Sequence, residues 1–163
     1  MTDPFPSLAE IAAEEEELQL RSFTNDDAWA LGLALVSAAR EQGAPVAVDV
    51  RRNHHPLFHV ALPGATPDND SWIERKVRVV HRFGRSSLYV GQQCREDGTT
   101  FEQRYGLDPQ QYAAHGGAFP VTVRSVGQVG VVAVSGLPQV ADHRMVVDAL
   151  RAHLGRPSPA ATE

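Results

Sequence analysis

Ser135, Asp142 and His143 place a hydroxyl, an acid and an imidazole close together, where the apolar run from Gly130 breaks at Ser135-Gly136-Leu137-Pro138 and a helix opens near Asp142-His143. By residue type these are the parts of a hydrolytic triad. A nucleophile elbow reads Gly-x-Ser-x-Gly, however, and this serine is flanked as Ala-Val-Ser-Gly-Leu. Asp142 and His143 are neighbours, so one helix start aims them in different directions. Asp142 reads better as an acid favourable to the helix dipole, and His143 as a hydrogen-bonding group for the loop or a ligand. The corner is a ligand site or a helix cap, and hydrolysis is not expected from it.

Lys76 is the second candidate. Over Ser71 to Phe83, Ile73, Val77 and Val80 recur at i, i+4, i+7 and define a core face. Trp72, Lys76, Val79 and Phe83 define a second stripe, which puts the lysine among apolar positions. Such a lysine pairs with a carboxylate, binds an anionic ligand, or snorkels its charge past the aromatics. Arg75, Arg78, His81, Arg82 and Arg85 surround it with positive charge. Guanidinium groups bind carboxylates and phosphates bidentately, although a charge run is more often a solvated face or a subunit contact.

The histidines carry less. His54, His55 and His59 lie close in sequence, but Pro56 breaks the strand periodicity between them, and no Cys-x-x-Cys or His-Glu-x-x-His pattern occurs. A structural zinc site is not expected. Haem needs only one axial ligand from the chain, which any histidine or Cys94 can supply. Gly116-Gly117 and Gly127 read as turn chemistry, not as a phosphate loop.

The elements that must position these groups follow from caps and periodicity. Met1 to Pro6 reads as a loose tail. Ser7 with Glu10, and Thr24 with Asp27, predict capping boxes for helices over Ser7–Glu17 and Thr24–Gln42, the second stopped by Gly43. Alternation over Glu17–Arg21 predicts a strand. Val46–Arg51 and Leu57–Leu62 predict a hairpin, and Phe119–Val126 with Val129–Ser135 a second one around Gly127-Gln128. Pro63 to Asp70 reads as a loop, with Ser71 capping the Lys76 helix. Helices are further expected over Ser86–Arg95, Thr99–Tyr105, Asp108 to about His115, and from Asp142 to Gly155. Five strands, largely in hairpins, with helices set against them make an α+β domain with an antiparallel sheet. One domain is expected over 7–155, with 156–163 a disordered Pro- and Ala-rich tail.

Composition sets the outer limits. The chain has 163 residues, 42% hydrophobic and 21% charged, enough for one globular core. A net charge of −5 argues against nucleic acid as a partner. No apolar run approaches the roughly 20 residues that cross a bilayer, so no membrane partner is expected. The N-terminal stretch ends in Glu14–Glu17, unlike a secretory leader. One cysteine, Cys94, forms no internal disulfide. The cytoplasm is the expected compartment.

Several segments taken in order resemble uncharacterised protein family 0303, a branch of the haem-degrading-domain group with the HbpS- and GlcG-like proteins. They are Phe23 with its following helix, Asp49-Val50, Leu62-Pro63-Gly64, Pro67-Asp68-Asn69 with Trp72-Ile73 and Arg75-Lys76, Ser86-Ser87, Gly117-Ala118-Phe119-Pro120, and Val134 to Pro138 with Asp142-His143. The resemblance spans about Leu8 to Leu154. It implies a profilin- or PAS-like α/β/α fold, a five-stranded antiparallel sheet between helices, and assembly into homo-oligomers. Haem binding, haem breakdown, iron-linked redox sensing and corrinoid binding belong to the wider group. The resemblance therefore implies that this chain binds haem or a small anionic ligand, or else is a structural oligomer without haem chemistry. Its pattern residues here are Trp72, Lys76, Ser86, Ser87, Ser135, Gly136, Asp142 and His143, the expected ligand-binding set.

Overall fold

Two reciprocal capping boxes start the first helices of the computed structural model, which describes residues 3–156. Ser7 Oγ accepts the Glu10 N–H at 3.1 Å and Glu10 accepts the Ser7 N–H at 3.3 Å, opening α1 (Leu8–Glu17). Thr24 and Asp27 repeat the exchange at 3.1 and 2.8 Å and open α2 (Asn25–Gln42). The hairpin β1 (Ala47–Arg52) and β2 (His55–Ala61) follows, then α3 (Pro67–Phe83), α4 (Ser87–Glu96) and α5 (Phe101–Tyr105). A second hairpin, β3 (Ala118–Val123) and β4 (Gly127–Ser135), leads into α6 (Gln139–His153). The tail beyond Arg156 lies outside the described residues.

The sheet is antiparallel in the order β2-β1-β4-β3. It has four strands, not the five expected. The segment Glu17–Arg21 contributes a single parallel bridge from Leu20 to Val123, in which Leu20 donates to Thr122 O and accepts from Arg124 N–H, both at 2.8 Å. Helix α1 takes Glu17, and the chain must turn at once into the α2 cap at Thr24, so too few residues remain to extend the pairing. The alternation of Leu18 and Leu20 reports their burial in the core instead.

Three other boundaries move. Helix α3 is capped by Thr66, not Ser71: Asn69 Oδ1 accepts the Thr66 N–H at 2.8 Å, and Pro67 occupies the first turn, where its missing N–H costs nothing. Helix α6 likewise opens at Gln139, three residues before Asp142. The helix expected from Asp108 is one turn only, with the Gln111 and Tyr112 N–H groups both on Asp108 O at 3.0 Å. Its continuation is drawn along α3 instead, where Ala113 N–H donates to Arg75 O at 3.2 Å before β3 begins.

Strand alternation divides the core between two faces. Val48, Val50, Val132, Val134, Phe119 and Val121 face α2 and α6 and pack with Leu31, Leu35, Val146 and Leu150. The opposite face is lined by Ala47, Ala118, Ala133 and Val131, against Ile73, Val77 and Val80 of α3. Three alanines there shorten the gap between helix and sheet. That close approach lets the α3 lysine reach the sheet backbone.

Candidate functional site

Lys76 points from α3 to the end of β4 and is 3% exposed. Its Nζ donates to Val134 O at 3.2 Å and to Asp142 Oδ2 at 3.2 Å. Asp142, 1% exposed, stands on the first turns of α6 and folds back on the loop, accepting the Leu137 N–H at 3.0 Å and the Gly136 N–H at 3.4 Å. The acid therefore ties the β4–α6 loop to the buried lysine. Burial moves both groups toward their neutral forms. It pushes the Asp142 carboxyl up to about 6 against the pull of Lys76 and the Leu137 amide. It holds the Lys76 amine below the ordinary lysine value against the pull of Asp142.

An ammonium has three N–H donors. Two of those on Lys76 are used, and no described residue accepts the third. The lysine lines a cleft of about 320 Å³ whose other walls are Asn69, Trp72, His115, Ser135, Gly136, Leu137, Gln139 and Asp142. Trp72 and His115 meet edge to face with ring centroids 5.2 Å apart, and the Arg75 guanidinium lies 4.0 Å over the indole. His115 is exposed at the rim; its partial desolvation and the nearby Lys76 charge hold the imidazole below its ordinary pKa, favouring the neutral ring. Gly117 sits beneath at φ +134°. A Cβ there would lie 2.4 Å from Val134 O and 2.7 Å from Lys76 Nζ, so only glycine lets the backbone pack this close to β4 and the lysine.

Five of the eight expected residues thus share one cleft: Trp72, Lys76, Ser135, Gly136 and Asp142. The other three do not line it. His143 points away and meets Glu14 of α1, Nε2 to Oε1 at 2.8 Å. Ser86 caps α4 by accepting the Tyr89 N–H at 3.2 Å and donates to Glu15 at 3.3 Å. Ser87 pins α4 to β3, donating to Ala118 O at 3.3 Å and accepting the Ala118 N–H at 3.1 Å.

The basic cluster of α3 and the turn that follows it is dispersed among separate partners. Arg78 donates to Gln111 O at 3.2 Å, Arg82 lies 5.7 Å over Tyr112, and Arg85 lies 3.6 Å over Tyr89 and pairs with Glu15 at 2.9 Å. The histidine group divides as well. His59 sits between Asp49 at 2.9 Å and Asp70 at 3.2 Å, whereas His54 stacks on His81 at 4.7 Å. Among the described residues no group of three or more His, Cys, Asp or Glu side chains is placed to hold a metal ion. Cys94 is buried, which pushes its thiol pKa up and away from reactivity.

Sequence reasoning missed His115, Asn69 and Gln139. The available signal was the pair after His115. Gly116 is as restricted as Gly117, since a Cβ there would lie 2.3 Å from Gln139 O. Two glycines packed against backbone mark a crossing of segments at the head of β3.

A family model described as haem degrading protein HbpS-like matches residues 23–151. A UPF0303 protein of Streptomyces coelicolor is 60% identical over 150 residues, covering 92% of this chain and 95% of that one. Among solved structures, the Ybr137w protein superposes with a TM-score of 0.84 at 37% identity, covering 93% of this chain and 89% of the other. PduOC, crystallised as a haem complex, shares the fold at a TM-score of 0.66 and 17% identity, over 80% and 94% of the two chains. Extent of match and identity together are decisive, and the chain belongs to the HbpS-like family, in its UPF0303 branch.

Proposed function

We propose that this chain is an oligomeric cytoplasmic binding protein whose Trp72–His115 cleft takes a small anionic ligand through a carboxylate or similar oxygen. The spare N–H of buried Lys76 carries the reading, because a desolvated ammonium donor without an acceptor is costly and a ligand oxygen relieves it. Arg75 over Trp72 adds a cation beside the cleft, and the indole and imidazole, packed edge to face, form one aromatic wall. A volume of about 320 Å³ lies at the small end of ligand pockets, which favours a compact molecule.

Haem is the second reading, favoured by His115. A neutral, exposed imidazole is a competent axial donor, and Arg75 suits a propionate. The cleft is small for a macrocycle, so this chain offers haem one ligand and one wall rather than an enclosing pocket. Bound haem would supply iron redox chemistry; Trp72, His115 and Arg75 would hold and orient it. A structural oligomer with no haem chemistry is favoured by a different surface. Trp29 and Leu33, 58% and 46% exposed, sit one turn apart on α2 beside Phe58 of the edge strand β2, an apolar patch suited to a second copy.

Thermal shift with a panel of small carboxylates, beside a haemin titration, tests these readings. A stabilising carboxylate whose affinity falls about tenfold in Arg75→Ala supports the first. A sharp haemin band that survives gel filtration and disappears in His115→Ala supports the second. No stabilisation by any carboxylate together with no haemin band would sink both.

A further inference from the structure

We propose that Lys76 is an amine nucleophile that condenses with the carbonyl group of an aldehyde or oxo acid held in the Trp72–His115 cleft, forming an imine. The inference rests on the ligand-site reading above and adds a covalent step to it.

The choice of residue is the first argument. Lys76 is the only lysine in the chain; every other member of its 15 lysines and arginines is arginine. Arginine suits a buried ion pair, having a planar fork of donors and a weakly hydrated charge, but it never deprotonates. At this basic position, buried behind a cleft, the chain instead carries the cation that can become a nucleophile. Position is the second argument. Nζ is held by two acceptors at 3.2 Å, and Lys76 lines the cleft. The third is the partner. Asp142, 3.2 Å away, is buried and anchored by two loop amides, so its carboxyl stays beside Nζ. Burial brings both groups toward the pH range in which they can exchange a proton.

The step balances with the groups present. Asp142 takes one proton from the ammonium. The Nζ lone pair adds to the carbonyl carbon, the C=O π pair moves to oxygen, and a second nitrogen proton passes to that oxygen to give a carbinolamine. Asp142 returns its proton to the hydroxyl, which leaves as water while the nitrogen lone pair forms the C=N bond. The iminium charge then faces the Asp142 carboxylate. One amine and one carbonyl yield one imine and one water, with no oxidant or reductant. Arg75 beside the cleft favours a carbonyl compound that also carries a carboxylate.

The chain makes the test clean, because its primary amines are Lys76 and the N-terminus. The full chain is incubated at pH 7 with cyanoborohydride and either pyruvate or acetaldehyde, then mapped by mass spectrometry. An ordinary lysine is uncharged far less often than an α-amine at this pH, so labelling would favour the N-terminus by roughly two orders of magnitude. The proposal expects Lys76 to be labelled at least as much as the N-terminus. It also expects that adduct to be lost in Lys76→Arg, which keeps the cation. Labelling of the N-terminus alone by both probes, or of Lys76 only once urea unfolds the chain, overturns it. Lactate, which has the carboxylate without the carbonyl, separates the two readings. Stabilisation by lactate without trapping at Lys76 leaves the ligand site standing and removes the imine. Trapping of Lys76 by acetaldehyde without any carboxylate stabilisation keeps the imine and removes the anion preference.

Discussion

Replacing Asp142 with asparagine strands a buried cation, and the structure sets how much that costs. At 3.2 Å and an effective dielectric constant of about 20, the gross Lys76–Asp142 attraction is about 5 kcal/mol. Desolvation offsets much of it in the intact pair, but removing one partner exposes the full penalty on the other. In Asp142→Asn, Lys76 has only Val134 O and an amide oxygen to meet it, and whether it holds an unpaired buried charge or gives up its proton at pH 7 the loss is about 3–5 kcal/mol. In Lys76→Met, Asp142 retains the Gly136 and Leu137 amides, two donors aimed at its carboxylate, so the loss is smaller, about 2–3 kcal/mol. The double variant Lys76→Met/Asp142→Asn removes both charges and costs less than the sum of the singles by at least about 2 kcal/mol. Urea unfolding followed by circular dichroism, at one protein concentration, measures all four corners of the cycle. For a chain of this length the Asp142→Asn loss corresponds to a fall in Tm of about 10 °C. Singles that add within about 0.5 kcal/mol, or Lys76→Met costing more than Asp142→Asn, would refute the reasoning.

Two further outcomes follow from the same site. The folded Asp142 carboxyl titrates at about 6 against 3.8 when unfolded, so the folded state holds its proton longer. Wild-type stability, taken relative to the double variant, therefore falls as pH rises from about 4 to 6, by up to about 3 kcal/mol. A difference that is flat or rising across that window contradicts the burial argument. Gly117→Ala forces an L-residue to φ +134° with its Cβ against the Val134 carbonyl, and is expected to cost at least about 2 kcal/mol. An unchanged urea midpoint would show that the β3 entry tolerates movement.

Local signals were legible wherever the physics was local. Ser7 with Glu10 and Thr24 with Asp27 form their capping boxes as their spacing requires, since each bond closes within three residues. Pro67 and Asp68 read as loop by composition, yet the same residue types start helices, and here they open α3. The Glu17–Arg21 alternation marks burial faithfully, but a strand needs neighbours on both ends of its pairing, and two capped helices left room for one bridge. Asp108-Pro109 carries a strong start signal, and the docking of Ala113 on Arg75 overrides it after one turn.

The same division holds at the site. Helical spacing alone put Lys76 on an apolar stripe with Trp72, and the break at Ser135-Gly136-Leu137-Pro138 alone turned the chain from strand into helix with an acid in its first turns. These are consequences of neighbours along the backbone, and the amino-acid sequence determines them. That the lysine meets that acid 66 residues away, that His115 packs edge to face on Trp72, and that His143 turns aside to Glu14 were decided by the tertiary structure. The physical reason is depth. Alanines on one face of the sheet bring α3 close enough for its only lysine to be buried, and burial makes a charge seek its partner across the fold rather than along the chain.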